Sequence, residues 1–253
     1  MIWLVVALIV VVSYLLGTIP TGLLISKSQG IDIREHGSKN IGATNVWRTM
    51  GKKWGLLAFL GDTFKGWLAV TIGVALAAHF GATIQLPHGH TEIKHLPPDY
   101  AGIAAALGCI MGHNFPIWLG FKGGKGVATS LGVIIGMMPL VSLLIFAIWG
   151  IVLKLSRYVS LASIVAALSL PIAVVVLLMF GPSQGWASVH GWGNFYFGVV
   201  AAAMVFKRHT ANIKRLIAGT ELRFGDPKPA VAAEPVTPDS PAPEPPAPEP
   251  PQS

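Results

Sequence analysis

Three short stretches of this sequence gather hydroxyls, amides and cations around glycine, a set of groups suited to phosphate. The first is GSKNIGATNVWR, residues 37–48, which holds Ser38, Asn40, Thr44, Asn45 and Arg48. A guanidinium offers a planar fork of N–H donors to phosphate oxygens, and small hydroxyl and amide groups fill the remaining lone pairs. A plainer role is open to the same residues, with Ser38 and Thr44 capping helices and Arg48 reaching towards lipid headgroups.

The second stretch, GHNFPIWLGFKGGKGVAT at 112–129, sets Gly120, Gly123, Gly124 and Gly126 around Lys122 and Lys125. Glycine lets backbone N–H groups converge on an anion, so the loop reads as a phosphate-binding nest with two lysines supplying charge. It is not a Walker A loop, because Leu119 stands where that pattern needs Gly and Gly126 where it needs Ser or Thr; nor is it GxGxxG, because Thr129 occupies the place of the third Gly. The plainer reading is an interfacial turn whose lysines meet lipid phosphates.

The third stretch, KRHTANIKRLIAGTELRFG at 207–225, spaces His209, Asn212 and Arg215 (or Lys214) by three, so a helix presents them on one face. Imidazole exchanges a proton near neutrality, which makes His209 a candidate base or orienting donor. A histidine beside arginines at an interface is also an ordinary surface residue. Glu221, the lone acid there, is expected to pair with a neighbouring Arg or Lys in a structural role. Two further groups need weighing. Asp62 and Lys65 open the second apolar run at i, i+3, either as functional groups or as an ion pair that fixes the helix near the interface. Ser160 and Ser163 follow Arg157, and Ser163 has three options: a cap, a bond back to its own helix, or a phosphate. His88, His90, Glu92 and His95 contain H-x-H, which suits a transition metal, but their outer loop is expected to be solvated and no metal is assigned.

The elements that must position these groups are apolar helices. The chain has 253 residues, 53% hydrophobic and only 11% charged, against roughly 25% charged in ordinary soluble domains. A spanning helix needs about 20 apolar residues, and that length picks out 2–25, 54–80, 100–119, 158–180 and 195–206, plus a run at 127–153 broken by Met138 and Pro139. The first run lacks a basic leader and an A-x-A cleavage pattern, so it is expected to remain as a span. Excess Lys and Arg stay cytoplasmic. The clusters at 27–53, Lys122 with Lys125, Lys154 with Arg157, and 207–223 fall on one side only if 127–153 crosses as a short hairpin around Pro139. The expected fold is therefore all-α, a polytopic integral membrane protein of about seven transmembrane segments, N-terminus outside and C-terminus cytoplasmic. The net charge of +7, held in loops beside a bilayer, points to anionic lipid or phosphate and away from nucleic acid.

Residues 1–225 form the expected membrane domain, and 226–253, rich in Pro and acid, a disordered tail. Gly108 with Gly112 and Gly132 with Gly136 have the GxxxG spacing of close helix packing. The single cysteine, Cys109, lies in an apolar run and forms no intrachain disulfide.

In this order, the three stretches resemble those of the bacterial acyl-phosphate:glycerol-3-phosphate acyltransferases, the PlsY family, whose patterns read GSGNxGATNxxR, GHxxPxxxxFKGGKGVAT and RHxxNIxRLxxGxE. The similarity covers roughly 1–225, with Lys39 where the family usually has Gly. The resemblance implies that Ser38, Arg48, Lys125, His209 and Asn212 line an active site, with Ser163 a further candidate. Asn40, Asn45, Lys122, Gly123, Gly124, Gly126 and Arg215 are expected to bind substrate. It implies no cofactor and no metal. It further implies transfer from a long-chain acyl phosphate to glycerol 3-phosphate at the cytoplasmic face of the bacterial inner membrane, giving lysophosphatidic acid for phospholipid synthesis. Thioester-using glycerol 3-phosphate acyltransferases carry H-x-x-x-x-D, which none of the eight histidines here satisfies. The rival reading is an organic-phosphate transporter, which should place polar groups near the membrane midplane.

Overall fold

The computed structural model describes residues 2–80, 82–85, 91–94, 96–181 and 191–225. Apolar runs become helices because the helix satisfies its own backbone N–H and C=O groups where no water can. In chain order these are α1 (Ile2–Gly17), α2 (Thr21–Lys27), α3 (Ala43–Met50), α4 (Lys52–His79), α5 (Pro98–Asn114), α6 (Val127–Met137), α7 (Pro139–Ser156), α8 (Val159–Phe180), α9 (Gly193–Arg208) and α10 (Thr210–Ile217). The fold is helical as expected, and in the connection between α4 and α5, Ala82–Gln85 and Thr91–Lys94 pair as a two-stranded antiparallel hairpin. β-Branched Thr and Ile supply half of those eight residues and suit a strand better than a helix. His88, His90 and His95 lie outside the described residues.

Five helical stretches, Ile2–Lys27, Lys52–His79, Pro98–Leu119, Pro139–Ser156 and Val159–Phe180, are long and apolar enough to cross a membrane. Helix α6, with 11 residues, reaches only about 16 Å at 1.5 Å per residue, roughly half a hydrocarbon core. The expected break at Pro139 is present: α6 stops at Met137 and α7 starts with the proline at its first position, where the missing N–H costs nothing. The chain then reverses, because the start of α6 and the end of α7 both lie beside the third polar stretch, through Lys125 bonded to Asn212 and Arg157 bonded to Phe224.

Packing follows side-chain size. Helix α5 carries Ala101, Ala105, Ala106, Gly108, Cys109 and Gly112 as buried residues and lies against α1, α4, α6 and α9. Without a hydrophobic gradient between helix and lipid, such small residues hold helices together by close contact. Cβ atoms on Gly108 and Gly112 would meet backbone of α1, and one on Gly132 would meet the Thr63 carbonyl of α4, so both GxxxG pairs are packing features. Large apolar side chains face outward instead, among them Trp3, Leu155 and Phe180, as expected of a lipid-facing surface. The core seam joins Val70, Ile110, Val133, Met138, Val141, Leu170, Val174 and Phe197 across α4 to α9.

Candidate active site

The loop before α3 is held by one buried amide. Asn45 Oδ1 accepts the Ser38 N–H at 2.8 Å, and its Nδ2 faces the carbonyl oxygens of Ile33, His36 and Asn40 at 2.9–3.1 Å. Asn40 Oδ1 in turn accepts the Gly42 N–H. Both amide oxygens thus serve backbone N–H groups, and together with the Asn45 amine they fold the loop so that Ser38 and Arg48 face a shared cavity. Neither Ser38 nor Thr44 caps a helix, since α3 starts after Gly42 with no side-chain cap. Arg48 donates to the Leu222 carbonyl at 3.0 Å, tying α3 to the chain after α10. Lys39 sits at φ 56°, the left-handed region in which glycine is free of strain. The turn therefore keeps the shape a glycine would give it.

The glycine loop is not the expected nest. The N–H groups of Lys122, Gly123 and Gly124 are already donated to the carbonyls of Leu119, Asn114 and His113, so these three are not turned to an anion. Lys122 is exposed, and neither it nor Gly123 nor Gly124 lines the cavity. The glycines are there for close approach: a Cβ on Gly123 would strike the His113 carbonyl, and one on Gly124 the His113 ring. What the loop offers instead is two carbonyls, on Gly123 and Gly124, which take the Arg208 guanidinium at 2.6–3.0 Å. That clamp sets Lys125 and Gly126 into the cavity wall.

The third stretch supplies the centre. Lys125 Nζ donates to Asn212 Oδ1 at 2.6 Å, and Asn212 Nδ2 donates to Glu221 Oε1 at 2.6 Å. Ser160 bonds the same Glu221 oxygen at 2.7 Å, while Arg215 takes the other at 2.7 Å. The expected helical face is thus Asn212 with Arg215, not Lys214, and Glu221 is its hub. His209, between α9 and α10 and buried, turns Nδ1 to the Val205 carbonyl at 2.8 Å. A carbonyl only accepts, so Nδ1 carries the proton and Nε2 keeps the lone pair. Ser163 bonds back to the Val159 carbonyl at 2.7 Å and accepts from Trp149 at 3.3 Å, the second of its three options.

These groups line one end of a cavity of about 480 Å³. The other end is apolar, walled by Ile145, Phe146, Trp149, Leu170, Ala201 and Val205 from α7, α8 and α9. Burial, with Arg215, Arg48 and Arg208 adding repulsion, pushes Lys125 down to about 8 against the pull of Glu221. Burial and then Lys125 press His209 down to about 4. For Glu221, burial acts upward, but the bonds from Ser160, Asn212 and Arg215 outweigh it and hold the carboxyl below its usual range. At neutral pH the groups around Lys125 are therefore cations, the Glu221 carboxylate spent on Asn212, Ser160 and Arg215, and the neutral imidazole of His209.

Sequence reasoning placed Asp62 and Lys65 near the start of a span. They lie three turns into α4, at 2% and 5% exposure, paired at 2.7 Å. His113 joins them, its Nδ1 3.0 Å from Lys65 Nζ. Buried ionisable groups thus lie inside the bundle, a placement that an organic-phosphate transporter would share. Arg208 and His113 were not singled out as site residues, and Ser160 was weighed with Ser163 but given no role. Arg208 and His113 do fall inside the two motifs, which was the available signal.

Fold and site together define a helical membrane protein whose cavity joins a polar, cation-lined part to an apolar one. The chain belongs to the glycerol-3-phosphate acyltransferase family, whose model matches residues 7–219. It is 44% identical over 220 residues to the glycerol-3-phosphate acyltransferase of Desulforudis audaxviator, covering 87% of this chain and 96% of that one. Identity to the protein of the same name from Thermosynechococcus vestitus is 42% over 222 residues, covering 86% and 94%. Its structure is similar to that of PlsY (YgiH), an integral membrane glycerol 3-phosphate acyltransferase, in the glycerol 3-phosphate form. There the TM-score is 0.69 at 38% identity, with 87% of this chain and 96% of that one covered. The lysophosphatidic acid form of the same protein matches at TM-score 0.68.

Proposed function

We propose that this enzyme transfers a fatty acyl group from a long-chain acyl phosphate to the sn-1 hydroxyl of glycerol 3-phosphate, releasing lysophosphatidic acid and inorganic phosphate. The observation that carries the reading is the single cavity with two unlike ends, cationic at Arg48, Lys125 and Arg215 and apolar from Ile145 to Val205. A phosphate headgroup and an acyl chain together need both. Membership of the family and the glycerol 3-phosphate and lysophosphatidic acid forms of PlsY support the acceptor and the product.

In the proposed reaction, Arg48 and Lys125 neutralise phosphate oxygens, Asn212 aims Lys125, and Ser38 orients a phosphate at the mouth of the first loop. The hydroxyl oxygen forms the new ester bond to the acyl carbon, and the carbon–oxygen bond to phosphate breaks with its electron pair leaving on phosphate. His209 Nε2, a weak base at about 4, accepts a hydrogen bond from the attacking hydroxyl and holds it in line. The proton goes to the departing phosphate, a stronger base than this imidazole, so that phosphate leaves protonated as the carbon–oxygen bond breaks. Catalysis then rests on positioning and charge stabilisation. Asn40 and Asn45 shape the first loop, Gly126 lines the wall, and Ser163 fixes Trp149 beside the acyl end.

The proposed topology has seven segments, N-terminus outside, C-terminus and active site at the cytoplasmic face of the bacterial inner membrane. It is supported by the bonds that gather the basic stretches at one end, Lys125 to Asn212, Arg48 to Leu222 and Arg157 to Phe224. Residues 226–253 are proposed to be a dispensable tail: deleting them leaves acyl transfer in membranes within about twofold of the full chain, because so proline-rich and acidic a segment lacks the apolar surface to pack. Loss of most activity would assign the tail to the enzyme.

The donor is tested by giving the purified protein glycerol 3-phosphate with either palmitoyl phosphate or palmitoyl-CoA. Lysophosphatidic acid should form from the acyl phosphate alone. Equal turnover from the thioester would overturn the donor and leave the acceptor standing. No product from either, in protein that still binds glycerol 3-phosphate, would favour the transporter reading.

A further inference from the structure

We propose that Asp62, Lys65 and His113 form a buried positioning unit that sets Lys125 in the cavity through the His113–Gly124 contact. The three side chains are at 2%, 5% and 5% exposure inside the helix bundle, and the reaction above uses none of them. Lys65 Nζ reaches three acceptors at once: Asp62 at 2.7 Å, the Ile19 carbonyl at the α1–α2 break at 2.7 Å, and His113 Nδ1 at 3.0 Å. Thr21 adds a bond to Asp62 at 2.9 Å. An ammonium only donates, so His113 Nδ1 accepts and its proton sits on Nε2.

A buried ion pair is a poor way to hold helices together, because well-packed apolar residues of the same volume are commonly as stable. What the pair does here that packing alone does not is fix the rotation of one imidazole. The His113 ring abuts Gly124 so closely that a Cβ there would overlap it, and the His113 carbonyl accepts the Gly124 N–H at 3.1 Å. Arg208 in turn holds the Gly124 carbonyl. Gly124 is therefore held by a fixed ring and a fixed guanidinium, and the next residue is Lys125, whose ammonium meets Asn212 at 2.6 Å. Asp62 and His113 also form part of the cavity wall, so the unit, the loop and the substrate space are contiguous.

Lys125 itself reports on the unit. Burial above all, with repulsion from Arg215, Arg48 and Arg208, keeps it near 8 against the pull of Glu221, and His209 is its further titratable neighbour. When the ring no longer seats Gly124, the lysine gains water and its value climbs towards the ordinary 10.5. The inference rests on the acyltransferase reading for its catalytic consequence, but this titration does not.

The test uses the full-length protein in detergent, as His113→Ala and as the double variant Asp62→Asn with Lys65→Met, which removes both charges and leaves no buried ion unpaired. The pH dependence of Lys125 modification by trinitrobenzenesulfonate is followed by peptide mass spectrometry, alongside melting temperature and acyl transfer. In both variants the midpoint for Lys125 should rise by at least one pH unit, and kcat/KM for acyl transfer at pH 7 should fall about tenfold to a hundredfold, the scale of a displacement near 1 Å. A lower melting temperature with an unmoved Lys125 midpoint would overturn the proposal and leave the cluster as a helix clamp. If His113→Ala yields too little folded protein, the double variant decides alone. Wild-type protein with a Lys125 midpoint near 8 but no acyl transfer would count against the function and not against the unit.

Discussion

Replacing Lys125 with alanine should lower kcat/KM for acyl transfer about tenfold to over a hundredfold while the protein stays folded. A charge-assisted hydrogen bond in a partly dry site contributes about 1.5–3 kcal/mol, and about 1.4 kcal/mol is a factor of ten in rate. Lys125 stands on a loop, and among the described residues its ammonium donates to Asn212 of α10, so one loop-to-helix hydrogen bond is lost with it. Asn212 stays anchored by its other end on Glu221. Lys125→Arg is expected to rescue little, because the guanidinium fork does not fit the place of a point charge donating to one amide oxygen. Steady-state kinetics with each phosphate substrate varied in turn measure the effect. Wild-type values for Lys125→Ala would remove the glycine loop from the substrate site altogether. Ser38→Ala and His209→Ala should act instead mainly on kcat, since both are assigned to orienting the reacting groups.

The largest expected effect on stability comes from Gly132→Ala in α6. Its Cβ would fall on the Thr63 carbonyl oxygen of α4, with the Trp67 N–H side of the same helix close by. Both neighbours are backbone, so a rotamer change gives no relief and the two helices must part. Overpacking of this kind costs about 1–3 kcal/mol or more. At about 2–4 °C per kcal/mol for a chain of this size, the melting temperature in detergent should drop by roughly 2–12 °C. Gly150→Ala is the matched comparison, because nothing stands within 4 Å of a Cβ there. Alanine gains up to about 1 kcal/mol over glycine in a helix, so that variant should melt at or above the wild type. Equal melting of Gly132→Ala and wild type would mean that α4 and α6 are not pressed together as described.

How much of this was legible in the sequence differs by level. Helix positions were, because a run of apolar residues long enough to matter has no other way to satisfy its backbone in lipid. The break at Pro139 is such a case: proline cannot donate to the preceding turn, so α6 and α7 had to separate there, and the placement of Lys154 and Arg157 already required a reversal. The three polar stretches were legible as well, and with them Ser38, Arg48, Lys125, His209 and Asn212, since residue type and order alone carry the family likeness.

The bonding of those residues was decided only in three dimensions. Sequence made the glycine loop a nest for an anion, because four glycines permit that geometry. The structure spends the Gly123 and Gly124 N–H groups on the end of α5 and uses their lack of Cβ atoms to fit His113. Glu221 was expected to pair with a neighbouring Arg or Lys and does pair with Arg215, but it is also the hub that joins Ser160 and Asn212. Those partners come from α8 and α10, up to 61 positions apart in sequence. Asp62 and Lys65 were legible as a pair at i, i+3, because one helix sets that distance. Their third partner, His113, belongs to another helix, and no spacing within the chain encodes that meeting. Local pattern thus fixed the elements and the candidates, while the crossing of α4, α5, α8 and α10 decided which polar groups meet, since those contacts depend on how closely small residues let the helices approach.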